Sequence, residues 1–222
     1  MIQLPLEPVL NRTVGRWLAI AGISAPIVFT ASAIAHSLTR DDHSPLSDPL
    51  GALAAGPSGW VQDATFAATG LLVIAFGLGL HLTLRPGRHV DPGPQFLALF
   101  GLGMIGAARW PAADLVILTS AWLAALALAP RLAKDPAWKG LARFARTVGV
   151  VLLLLFVTGS FLVLPAGSAL HDRLGLFQWI YLGVWFPCIA VLAGRLFRRS
   201  RMTQRVVRTN HDGNPTVGMR GR

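Results

Sequence analysis

The chain has 222 residues, of which 53% are hydrophobic and only 14% are charged, and its formal net charge is +10. A soluble domain normally carries about 25% charged residues, so this composition excludes an ordinary water-soluble protein and indicates that lipid surrounds much of the chain. Its single cysteine, Cys188, excludes an intramolecular disulfide framework and a thiolate metal site.

Six apolar stretches predict an all-α fold, a six-helix transmembrane bundle. In chain order the predicted spans are about 17–38, 60–84, 95–108, 115–132, 147–164 and 174–197. About 20 apolar residues normally cross a bilayer, so the third span needs a thinner membrane or flanking tryptophan. The predicted organisation is a cytoplasmic lead over 1–16, a membrane domain over 17–197 and a basic, flexible cytoplasmic tail over 198–222.

The first span has a rival interpretation. Its arginine-flanked start, its apolar middle and the triplet Ala31-Ser32-Ala33 resemble a signal peptide with a small-residue cleavage site. Pro26 and the length of the apolar stretch favour an uncleaved span. Cleavage within residues 1–35 stays open as the alternative.

The basic residues are distributed unequally between the predicted loops. Of the 20 Lys and Arg residues, 17 fall in segments that a model with both termini inside places in the cytoplasm, the exceptions being Arg40, Arg109 and Arg173. This positive-inside bias predicts cytoplasmic N- and C-termini in a multi-pass protein of the cell inner (plasma) membrane. Nucleic acid is not a predicted partner, because no aromatic residue for base stacking follows Phe197.

Residues 39–59 form the longest predicted outer loop and are rich in Pro, Gly, Ser and Asp. Within residues 43–62 the Asp-Pro and Gly-Pro steps restrict the backbone, which predicts that this stretch is an ordered cap over the outer mouth of the bundle. We expect Asp48 and Gln62 to hydrogen-bond to the loop backbone or to the adjacent helix.

Two patterns predict how the helices meet their surroundings. Small residues recur every four positions on the fourth span, at Ala121, Ala125 and Ala129; they predict close packing within the bundle, with an oligomer interface as the alternative. Four tryptophans near span ends predict an interfacial aromatic belt: Trp17, Trp60, Trp110 and Trp138.

The apolar centres of the spans hold almost no ionisable residues, which argues against an ion or proton pathway. Polar chemistry collects instead at the outer rim, and the candidate outer-rim residues are His36, Asp48, Asp63, Arg109, Asp114 and His171. Imidazole and carboxylate groups could bind a divalent ion or act as base and orienter. Because no HExxH motif and no nucleophile elbow is present, we predict no catalytic residue, no metal and no cofactor, and favour a solvated rim.

Arginines recur at three- and four-residue gaps at the end of the sixth span. On a continuing helix several would share a face that could lie on anionic headgroups, at about 1 kcal/mol per basic residue. The candidate anionic-lipid contacts are Arg195, Arg198, Arg199 and Arg201. An ordinary stop-transfer anchor is the alternative.

Residues 43–80 carry a resemblance to a known family. A Ser-Pro-Leu-x-Asp-Pro stretch over 44–49 precedes Gly-Pro-x-Gly-Trp-x-Gln over 56–62. This order resembles domain of unknown function 998, an uncharacterised bacterial membrane family, and the resemblance implies six membrane helices. The chain departs from the family at Gly51-Ala52, where relatives tend to carry Ser-Glu, and in having no His between Pro111 and Trp122.

We therefore expect a non-enzymatic membrane protein that binds a lipid or a partner membrane protein. The alternatives are a membrane-embedded enzyme that acts on a lipid at the outer rim, and a small transporter or transporter subunit. The predicted partners are membrane lipids, with a membrane protein as a possible further partner.

Overall fold

A computed structural model describes residues 6–212 except 57, 85–91, 108, 111, 137, 164, 166 and 169, and side chains between residues 13 and 200. The described residues form six α-helices: α1 (Leu6–Leu38), α2 (Gly59–Thr83), α3 (Pro92–Gly106), α4 (Ala113–Lys134), α5 (Lys139–Thr158) and α6 (Leu174–Asp212). The described residues contain no strand, which confirms the all-α fold. All but α3 are long and apolar enough to cross a membrane, which indicates a membrane protein.

Helix boundaries differ from the apolar stretches in a systematic way. The fifth helix begins at Lys139 instead of about 147, and α6 continues to Asp212 instead of ending near 197. Lys and Arg are good helix formers, so a helix continues after it leaves the apolar layer. Helix α3 has 15 residues, about 22 Å of rise, and is shorter than the roughly 30 Å hydrocarbon core.

The apolar half of α6 contributes much of the core. Its flanks pack on α1 and α5, and its buried face contacts α3 and α4. The Trp185 ring lies 5.7 Å from that of Phe100 on α3, and the Tyr181 hydroxyl donates to the Leu118 carbonyl on α4 at 2.5 Å. Helix α6 therefore contacts α1, α3, α4 and α5.

Small residues bring helix backbones into contact. A Cβ atom at Gly70 on α2 would clash with the carbonyl oxygen of Gly101 on α3, so both positions require glycine. Ala121, Ala125 and Ala129 of α4 are all buried within the bundle. This confirms that the alanine stripe serves packing within the chain.

The predicted tryptophan belt is partly right. Trp17, Trp60 and Trp110 are 66%, 70% and 51% exposed, but Trp138 is fully buried. The reason is the early start of α5: Trp138 directly precedes its first residue, in the connection from α4, and its ring joins the hydrophobic core. The belt interpretation is therefore wrong for Trp138.

The two ends of the bundle are called here the cap end, which carries residues 39–58 (the cap), and the basic end, which carries the connection from α4 to α5. In the cap, the Ser44 N–H donates to the Asp48 carboxylate at 2.7 Å, which confirms the prediction for Asp48. The cap also binds the start of α6, because the Leu50 N–H donates to Gln178 Oε1 at 2.7 Å. The predicted placement of both termini in the cytoplasm stays a prediction from charge.

Candidate functional site

The outer-rim residues have mostly separate partners. Asp63 and Arg109 form an ion pair of 2.9 Å, with the Arg109 side chain largely exposed. His36 Nε2 lies 3.1 Å from the Ser58 hydroxyl. His171 Nδ1 lies 3.2 Å from the Val163 carbonyl, Asp48 is bound within the cap, and Asp114 lines a cavity. Among the described residues no group of three or more His, Cys, Asp or Glu is placed to hold a metal ion.

The cavity beside Asp114 lies beneath Leu50 and Gly51 of the cap. Apolar side chains, including Phe29 and Phe66, form most of its wall, and Asp114 and Gln178 are its polar lining residues. Its volume is about 30 Å³, which is room for roughly two water molecules. As it stands, this cavity excludes a lipid chain.

A polar stripe follows α2 inward from the cap, at Ser58, Gln62, Thr65 and Thr69. Thr65 lies 2.6 Å from the hydroxyl of Ser32 on α1. Gln62 is fully buried, and neither of its amide atoms has a hydrogen-bond partner among the residues that the structure describes, so the prediction for Gln62 is wrong. Two neighbours on the stripe are already engaged, since Ser58 pairs with His36, and Thr65 pairs with Ser32 and the Val61 carbonyl. The buried Thr69 hydroxyl, like the Gln62 amide, has no hydrogen-bond partner among the described residues.

At the basic end, α5 and α6 enclose an open groove of about 710 Å³, the basic groove. Its lining residues are Gly140 and Leu141 of α5, and Ala190, Val191, Gly194, Arg195 and Arg198 of α6. Both arginines are exposed. The groove therefore combines an apolar floor with two guanidinium groups at one end.

The four predicted lipid-contact arginines divide into three cases. Arg195 and Arg198 line the basic groove. Arg199 instead forms an ion pair of 2.9 Å with Asp135, in the connection after α4. The side chain of Arg201 lies outside the described residues.

A second groove, the α1–α6 groove, opens on the bundle surface nearer the cap end. It has a volume of about 540 Å³ and is lined by Pro26, Ile27, Thr30 and Ala31 of α1 and by Trp179, Leu182, Gly183, Phe186, Pro187 and Ala190 of α6. Ala190 lines both grooves. These α6 residues were not predicted from the sequence, although Gly183, Pro187, Ala190 and Gly194 follow a helical i, i+4, i+7, i+11 spacing that marks one face.

Comparison with known protein families gives a match. The sequence profile of a family described as protein of unknown function (DUF998) matches residues 23–195. The chain belongs to the DUF998 family. No curated protein and no solved structure shows a significant match.

The stretch that carries the DUF998 resemblance builds the backbone of the cap. Gly56 has φ of 83°, a left-handed conformation that favours glycine. A Cβ atom at Gly59 would clash with the Ala54 carbonyl, and one at Gly175 would clash with carbonyls of the cap. In this DUF998 member, the glycines at these two positions let the cap approach the ends of α2 and α6. The DUF998 match ends at Arg195 and so includes one groove arginine.

Proposed function

We propose that this DUF998 protein is a multi-pass membrane protein that binds a lipid with an anionic phosphate headgroup in the basic groove. Arg195 and Arg198 hold the phosphate, and the apolar floor of the groove contacts the start of the hydrocarbon chain. The observation that carries the proposal is this groove, which joins two exposed arginines to an apolar surface at one end of a membrane helix bundle.

The chemistry of the groove matches a phosphate. Guanidinium groups donate several hydrogen bonds in a fixed geometry that suits phosphate oxygens. Gly140 is the second residue of α5 and lines the groove, and a Cβ atom there would meet nothing within 4 Å. The groove is therefore open beside the start of α5.

The predicted orientation agrees with this ligand. With both termini inside, the basic groove faces the cytoplasmic leaflet of the inner membrane, where anionic lipids attract basic residues. The separate placement of the outer-rim residues and the water-sized cavity beside Asp114 favour a binding role over catalysis at the cap end.

The proposal is tested by lipid binding to the purified protein, with dioleoyl phosphatidylglycerol as the probe and native mass spectrometry as the readout. The double variant Arg195→Gln/Arg198→Gln is expected to lose about thirtyfold in affinity, since two contacts contribute about 1 kcal/mol each.

The matched control is Arg143→Gln/Arg146→Gln, which removes the same charge from exposed positions of α5 that do not line the groove. We expect the control to bind like the wild type. An equal loss in both double variants, or no loss in either, would contradict a specific phosphate site.

A further inference from the structure

The exposed face of α6 carries more than a headgroup site. The basic groove ends at Ala190, and the α1–α6 groove begins at the same residue. The two grooves, which share Ala190, together mark a path along α6 from Arg195 to Trp179. Sixteen residues separate these two positions, which corresponds to about 24 Å along a helix. One leaflet of the hydrocarbon core is only about 15 Å thick, so the path continues past the middle of the membrane.

The path is open because small residues line it. A Cβ atom at Gly183 or at Gly194 would meet nothing within 4 Å. Pro187 on α6 and Pro26 on α1 line the same groove from opposite sides. Trp179 and Phe186 supply aromatic rings to the wall. The groove is thus a pre-formed apolar channel along the surface of the bundle.

The α1–α6 groove is long and apolar. Its α6 residues extend from Trp179 to Ala190, about 16 Å of helix. Its lining side chains are almost all apolar, which suits a hydrocarbon chain that lies along the helix.

We infer that the lipid of the basic groove is a polyprenyl phosphate: its phosphate is held by Arg195 and Arg198, and its chain, longer than one leaflet, lies in the α1–α6 groove. This inference rests on the proposed function and adds the class of lipid. An ordinary phospholipid chain that starts at the arginines ends near the middle of the membrane and leaves the groove beside Gly183 unfilled.

The test compares undecaprenyl phosphate, farnesyl phosphate and dioleoyl phosphatidylglycerol on the purified full-length protein, again by native mass spectrometry. The wild type is expected to bind undecaprenyl phosphate at least about tenfold more tightly than farnesyl phosphate, which has the same headgroup and a short chain. Gly183→Leu fills the groove and is expected to remove this preference while the affinity for farnesyl phosphate stays within about twofold.

The control variant is Ala68→Leu, which adds similar bulk at an exposed position of α2 outside both grooves and is expected to keep the preference. Gly183→Leu replaces an exposed helical glycine with a better helix former, and circular dichroism checks that it folds. If the wild type binds both prenyl phosphates equally, or Gly183→Leu keeps the preference, the inference is overturned. The proposed function fails separately, if Arg195→Gln/Arg198→Gln binds phosphatidylglycerol like the wild type.

Discussion

Arg40 organises the cap through its guanidinium group. It donates to the Ala55 carbonyl at 2.7 Å and to the Asp42 carboxylate at 2.9 and 2.5 Å. This hydrogen bonding holds the pKa of Asp42 below its usual value. One side chain therefore connects the end of α1 to the far end of the cap, and a loop rich in turn residues acquires a defined conformation.

For His43, also in the cap, the surroundings disfavour the charged form of the side chain. Its ring is buried, and burial lowers its pKa below the usual value even though Asp48 lies 3.8 Å away and acts to raise it. The other titratable groups that influence it are Arg40, Asp42 and His36. The folded cap therefore favours neutral His43.

We predict that the cap loses stability as the pH falls below the ordinary histidine pKa of about 6.5. Below that value the opened cap binds the proton more readily than the folded cap, so protonation favours opening. The measurement is the amide-exchange protection factor of Leu50–Ala54, above and below that pH. His43→Gln should remove the change across this window, and His171→Gln, at the same end of the bundle, should not. A protection factor that stays constant in the wild type would contradict the prediction.

At the level of helices, the interface between α1 and α2 is partly polar. Ser32 with Thr65 and His36 with Ser58 form hydrogen bonds across it. Between these two contacts, Gln62 is buried, and within the described part of the chain both of its amide atoms are unpaired. A buried, unsatisfied polar group costs about 1–3 kcal/mol, so the interface carries a local destabilisation.

We expect Gln62→Leu to raise the free energy of unfolding by roughly 1 kcal/mol, because it replaces an unpaired amide with an apolar side chain of similar size. The measurement is the thermal unfolding midpoint in detergent. Thr65→Val is the matched change on the same stripe, and it should lower the midpoint because it removes the hydrogen bond to Ser32. A lower midpoint for Gln62→Leu would show that the amide has a polar partner in solution.

For the whole molecule, the central question is which end faces the cytoplasm. The charge bias predicts that the basic end is inside and the cap end outside. We expect Ala55→Cys and Asp172→Cys, both exposed at the cap end, to react with an impermeant thiol reagent on intact cells. Lys139→Cys, exposed at the basic end, should react only after permeabilisation. Cys188 is buried and should give little background, and the reverse labelling pattern would refute the orientation.

The chain alone determined the helix count and the approximate positions of the helices, because an apolar run of sufficient length is a local property. It also indicated an ordered cap, since Pro and Gly restrict the backbone where they stand. The family was recognisable because its motif residues, such as Gly56 and Gly59, meet local steric demands at the cap.

Only the tertiary structure decided which side chains meet. In a membrane helix the lipid-facing and the core-facing residues are both apolar, so the sequence does not reveal which face of α6 is buried. For that reason neither the burial of Trp138 nor the unpaired amide of Gln62 could be predicted. The division of the arginines has the same cause: Arg198 lines the basic groove and Arg199 binds Asp135, although they are adjacent in the chain and differ only in the direction that the packed helix gives them.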